Sequence, residues 1–143
     1  SAVKLDYEGV SRRLKRVLKK LYKQREITSY SKGGKTMRFN KCKTTGELEQ
    51  ELERAIRCCS RLMSGCERMD EIFNLCADKG KAYNNVLMHS QLGFSLEELK
   101  EYLKDRKDAE RRLLSGFSEM NESFETCKAR KDAYHEVLEC LRE

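Results

Sequence analysis

The 143-residue chain has no proline, no tryptophan and two histidines. No apolar run in it approaches the ~20 residues that span a bilayer. Average usage would place roughly seven prolines in a chain of this length. Their absence removes the strongest helix breaker and, beside heavy Lys, Arg, Glu and Leu use, sets aside collagen-like repeats and sheet-rich folds. His89 and His135 form no repeated ligand pair with a Cys or a carboxylate, so they read as ordinary helix residues. No C-x-x-C spacing occurs among the seven cysteines, Cys42, Cys58, Cys59, Cys66, Cys76, Cys127 and Cys140. Their odd number and irregular spacing argue against a disulfide framework or a zinc site. Reduced structural thiols, and with them a reducing compartment (cytoplasm, cytoskeleton or nucleus), are the expectation. The opening Ser1-Ala2 shows no signal-peptide pattern and reads as the start of a piece cut from a larger protein.

What is present is charge and periodicity. Charged and hydrophobic residues each make up 38% of the chain, too polar for a thick core and too regularly apolar for disorder. From Leu48 the apolar positions step by four and three: Leu48, Leu52, Ala55, Cys59, Leu62, Cys66, Met69, Phe73, Cys76, Gly80, Tyr83 and Leu87. From Leu96 the stepping resumes through Leu99, Leu103, Arg106, Glu110, Leu113, Phe117, Met120, Phe124, Cys127, Lys131, Tyr134, Leu138 and Leu141. A 3.5-residue repeat sustained this long is the seam of a coiled coil.

Between the runs lies Gln91-Leu92-Gly93-Phe94-Ser95. Gly93 suits the left-handed position that ends a helix, and Ser95 with Glu98 three residues on forms a capping box. The spacing therefore predicts an all-α fold: a long antiparallel coiled-coil hairpin over 46–143, turning near 91–95, with arms of about 46 residues and roughly 70 Å each. Folding about that turn sets Phe73 near Gly116 and Phe124 near Gly65. Gly80, Arg106 and Glu110 make the seam imperfect; glycine is costly in a helix, and the irregularity reads as a local register filler ahead of a hinge or partner contact near Gly80.

A third amphipathic helix is expected over 1–27, with the stripe Val3, Tyr7, Val10, Leu14, Val17 and Leu21. Its stripe must be covered, either by the open end of the hairpin or by a second copy in a homodimer. A basic, Gly-containing loop or short hairpin over 28–45 follows. Residues 1–45 hold fourteen Lys/Arg against three Asp/Glu, a net of +11. Of the chain's thirty basic and twenty-four acidic residues, sixteen and twenty-one then remain, a net of −5. The overall +6 conceals this polarity. Such a run is the electrostatic footprint of polyanion binding, and the candidate contacts are Arg12, Arg13, Lys15, Arg16, Lys19, Lys20, Lys23, Arg25, Lys32, Lys35 and Arg38.

An acidic protein or cytoskeletal polymer, such as the microtubule lattice, fits an elongated basic coiled coil. Nucleic acid is the alternative: Lys and Arg would meet phosphates, and Tyr30 and Phe39 would stack on bases, although no reader motif is present. A membrane fits less well, because the apolar stripe is heptad-narrow and lacks Trp. Gly34-Lys35-Thr36 resembles the end of a phosphate loop, but its leading glycine would fall on Ser29. With no nucleophile motif and no His–Cys arrangement either, neither enzymatic activity nor a cofactor or metal is expected. The sequence reads as a non-enzymatic interaction or scaffold module, with pure self-assembly as a third reading.

Overall fold

A computed structural model describes residues 37–67, 71–119 and 121–142. The expected basic helix over 1–27 and its seam lie outside the described residues. The described chain is all-helical: α1 (Thr45–Ser64), α2 (Glu71–Gln91), α3 (Leu96–Ser115) and α4 (Glu122–Cys140). A non-helical strap, 37–44, precedes α1.

Local chemistry sets each boundary. Thr44 caps α1 by accepting the Glu47 N–H at 3.1 Å, while Glu47 Oε1 reaches back to the Lys43 N–H at 3.2 Å. The turn between α2 and α3 is the one read from the sequence. Gly93 adopts φ +101°, the Phe94 N–H reaches the His89 carbonyl at 3.2 Å, and the Gly93 N–H reaches Ser90 at 3.0 Å. These two bonds make a Schellman ending. Ser95 then caps α3, giving and receiving the reciprocal bonds with Glu98.

Two further breaks were not expected. α1 stops at Ser64 and α3 at Ser115, each followed by glycine. Ser64 Oγ donates to the Arg61 carbonyl at 2.8 Å, and Ser115 Oγ donates to Arg112 at 2.7 Å. Each hydroxyl takes up a carbonyl of the last turn, which is how Ser competes with helix continuation. Gly80, by contrast, does not break α2, which runs continuously through it. A Cβ at Gly80 would meet Cys59 Cβ at 3.7 Å, an ordinary contact.

With both arms broken, each helix is about 30 Å long and the packing changes. α1 lies on α2, α3 on α4, and α2 on α4, while α2 and α3 touch only sparsely despite their tight turn. The expected single hairpin, pairing 46–91 with 96–143, is therefore corrected to two short hairpins joined through α2 and α4. The physical reason is that a heptad seam specifies which face is apolar and leaves open which face it meets.

Many of the seam positions are buried: Leu48, Leu52, Ala55, Cys59, Leu62, Cys76, Tyr83 and Leu87 on the first run, then Leu99, Leu103, Tyr134, Leu138 and Leu141 on the second. α1 and α2 also bury flanking positions such as Glu51, Cys58, Ala82 and Val86. Each therefore presents a face wider than a two-helix seam, as a helix packed by more than one neighbour must. α3 buries Leu99, Leu103 and Glu110 alone.

Candidate functional site

Ten of the eleven candidate polyanion contacts lie outside the described residues: Arg12, Arg13, Lys15, Arg16, Lys19, Lys20, Lys23, Arg25, Lys32 and Lys35. The eleventh, Arg38, is exposed on the strap, and its carbonyl accepts Arg54 Nη2 at 3.2 Å. The structure does describe how the strap fastens the start of the chain to the helices. The Met37 N–H donates to Glu136 Oε2 at 3.0 Å, the Asn40 N–H to Glu51 Oε1 at 2.5 Å, and the Cys42 N–H to the Cys140 carbonyl at 2.9 Å. Lys41 Nζ donates to the Glu139 and Arg142 carbonyls at 2.8 and 3.2 Å. That places an ammonium at the C-terminal, negative end of α4.

The strap also corrects one detail of the nucleic-acid reading. Phe39 is half-buried, edge-on to Tyr83 with ring centroids 5.5 Å apart. Its ring is engaged in the fold and does not stand out as a stacking platform.

Beneath the strap lies a buried charge cluster that no seam position announced. Glu136 Oε2 accepts Lys79 Nζ at 2.7 Å, and its Oε1 accepts the Tyr83 hydroxyl at 2.5 Å. Lys79 and Glu136 side chains retain 3% and 9% of their exposure. Burial pushes the Glu136 carboxyl above its ordinary range, against the opposing pull of Lys79, Tyr83 and the Met37 N–H. The cost of desolvating the carboxylate exceeds what its partners return. Three elements meet on this one side chain: the strap, α2 and α4.

A second buried carboxylate, Glu110, lies between α3 and α4. Arg106 Nη2 donates to its Oε1 at 3.2 Å and Arg130 Nη2 to its Oε2, also at 3.2 Å. The arginine side chains are 42% and 33% exposed, so this cluster opens to water on one side. Arg106 also lies 5.9 Å from the Tyr134 ring centroid. Arg106 and Glu110, which look like faults in the seam, thus pair with each other one turn apart.

All seven cysteines are free thiols and six are buried. Two pairs interact directly, Cys59 with Cys76 between α1 and α2, and Cys42 with Cys140 between the strap and α4. Burial pushes Cys42, Cys127 and Cys140 up, and the bond to Cys59 together with burial does so for Cys76. While they stay buried, none of these four is tuned toward thiolate, the form that nucleophilic or metal-binding chemistry needs.

Among the described residues no group of three or more His, Cys, Asp or Glu is placed to hold a metal ion. No described helix is long and apolar enough to cross a membrane. No family model, no curated protein and no solved structure matches the chain.

Proposed function

We propose that this chain is a non-enzymatic helical interaction module whose N-terminal basic segment binds an acidic polymer or protein surface of the cytoskeletal kind, inside the cell. The observation that carries the reading is the charge division: +11 over residues 1–45 against −5 over the remainder. The helical body supports it by the use it makes of its own cations. Lys79 meets Glu136, Arg54 meets Glu51, and Arg106 and Arg130 meet Glu110. Charges committed to internal pairs contribute little to an external field, whereas a one-signed segment attracts polyanions at long range. The strap gives that segment a fixed root on the body.

Replacing Arg12, Arg13, Arg16 and Lys19 together by Gln removes four positive charges. Binding to microtubules in co-sedimentation should weaken steeply and its salt dependence should flatten, with helix content unchanged. Equal affinity in the variant would end the proposal. Gel shifts with RNA and DNA, run beside the sedimentation, separate the nucleic-acid alternative, whose signature is a log–log salt slope scaling with the number of phosphates met. Dimerisation through the N-terminal stripe is read by sedimentation equilibrium, and a monomer at tens of micromolar counts against it.

A further inference from the structure

The cysteines fall outside the binding reading, and their placement carries a chemistry of its own. Cys42 sits on the strap and Cys140 in the last turn of α4, ninety-eight positions apart in sequence. Their backbones are joined directly by the Cys42 N–H to Cys140 carbonyl bond at 2.9 Å. A bond of that length holds two Cα atoms within the ~4.4–6.8 Å that disulfides span. Their side chains are neighbours as well, each thiol feeling the presence of the other. Each thiol also has a carbonyl acceptor: Cys42 Sγ lies 3.3 Å from the Asn40 oxygen and Cys140 Sγ 2.9 Å from the Val137 oxygen.

The second thiol pair supplies the contrast. Cys59 and Cys76 are both locked in helices at the α1–α2 interface, and both are about 2% exposed. Reaching them requires the α1–α2 hairpin to part. Cys42 belongs to a short non-helical strap fastened by a few hydrogen bonds, with Met37 and Cys42 buried, and such a segment opens locally at lower cost than two helices packed along their length. Of the two pairs, the strap pair is reached by release of 37–44 alone, with the four helices still packed.

We propose that Cys42 and Cys140 form a redox-responsive clip, closed by a low-molecular-weight disulfide such as glutathione disulfide, that fastens the strap and the N-terminal basic segment to the end of α4. When the strap lifts, the Cys42 thiol loses its proton to solvent and its sulfur attacks one sulfur of glutathione disulfide. A mixed disulfide forms and one glutathione leaves. While the strap is still lifted, the Cys140 thiol gives its proton to solvent in turn, and its sulfur attacks the Cys42 sulfur of the mixed disulfide. The second glutathione leaves as a thiolate that takes up a proton, closing the protein disulfide as the strap settles. Two protein thiols are oxidised and one glutathione disulfide is reduced to two glutathiones. The attacking thiol is on the strap and the resolving thiol on α4, so the disulfide closes as the strap docks.

The test uses the full 143-residue chain, incubated natively with glutathione disulfide, alkylated, and mapped by mass spectrometry without reduction. The expected product joins the Cys42 peptide to the Cys140 peptide, two hydrogens lighter than the dithiol. The other five thiols should alkylate after denaturation, and dithiothreitol should reverse the link. In the oxidised protein, tryptic cleavage after Arg38 and Lys41 should slow several-fold relative to the reduced protein. Cys42→Ser and Cys140→Ser should each keep the helix content and abolish both the link and the protection. Where either serine variant fails to fold, the alanine variant takes its place. A Cys59–Cys76 link, a Cys42–glutathione adduct that Cys140 does not resolve, seven remaining thiols, or unchanged cleavage would each overturn the clip. None of these readouts depends on polyanion binding, so the clip and the binding proposal fail independently.

Discussion

Glu136 and Glu110 are both carboxylates withdrawn from water, one at each end of α4's packing, and the surroundings differ in kind. Around Glu136 the strap, α2 and α4 converge, and Val86, Val137 and Leu138 of those helices are buried in the core. Around Glu110 two helices meet, and beyond Leu103 the apolar cover thins: Leu113 is 47% exposed and Phe117 and Phe124 are half-buried. At the thick end the carboxylate keeps 9% of its exposure and its lysine is buried with it at 3%. At the thin end the carboxylate is covered by arginines whose stems pack and whose heads reach solvent. The number of elements that converge decides whether a buried ion pair is held by the core or by water.

That contrast can be broken first at Glu136. Glu136→Ala removes the acceptor shared by Lys79, Tyr83 and Met37 and should cost about 3–5 kcal/mol in urea unfolding, the usual range for halving a buried pair. Glu136→Gln keeps an acceptor oxygen and should cost far less. Its comparison with the wild type should also depend on pH. Because burial raises the folded-state carboxyl above its unfolded value, Glu136 contributes stability that is fully present below the unfolded pKa. That contribution is lost as pH rises through the folded one. The balance should therefore move in favour of the Gln variant between the ordinary carboxylate range and the raised value, and a difference constant with pH would refute that assignment.

A pair of leucines sharpens the same contrast. Leu52→Ala, at a fully buried site, should cost about 2–5 kcal/mol, whereas Leu113→Ala, at the thin end, should stay within about 0.5 kcal/mol. Thermal or urea unfolding reads both, and equal effects would show that the two ends are packed alike. Glu110→Gln should fall between them, toward the low side of about 1.5–3 kcal/mol, because both arginines regain water. Amide exchange should quicken along α3 and α4 near the site and leave α1 unchanged. The one change of opposite sign is Gly80→Ala. With open contact to Cys59, the added methyl should raise stability by up to about 1 kcal/mol through helix propensity, visible as a higher midpoint in urea.

Several features were legible in the sequence for reasons that act over a few residues. Gly93, Ser95 and Glu98 specify a helix ending and a helix start through bonds to their own backbone, so no distant partner is needed. The seam positions from Leu48 to Leu87 are apolar on one face whatever covers them. The breaks at Ser64-Gly65 and Ser115-Gly116 carried a signal too, a Ser-Gly step of the kind that marks turns. It was masked by a heptad pattern that continues across both. Lys79 and Glu136 left no such trace. They are off-seam, fifty-seven positions apart, and outwardly resemble any solvated charge on a helix.

The sequence by itself determined the helical class, the turn at Gly93, the apolar face of each helix and the charge division of +11 against −5, because composition and local hydrogen bonding fix these without reference to the rest of the chain. Only the tertiary structure decided which faces meet. Apolar burial is non-directional, so one seam serves a long hairpin or two short ones equally well. The choice falls to the Ser-Gly breaks, the strap, and a carboxylate on α4 that has to find its lysine on α2.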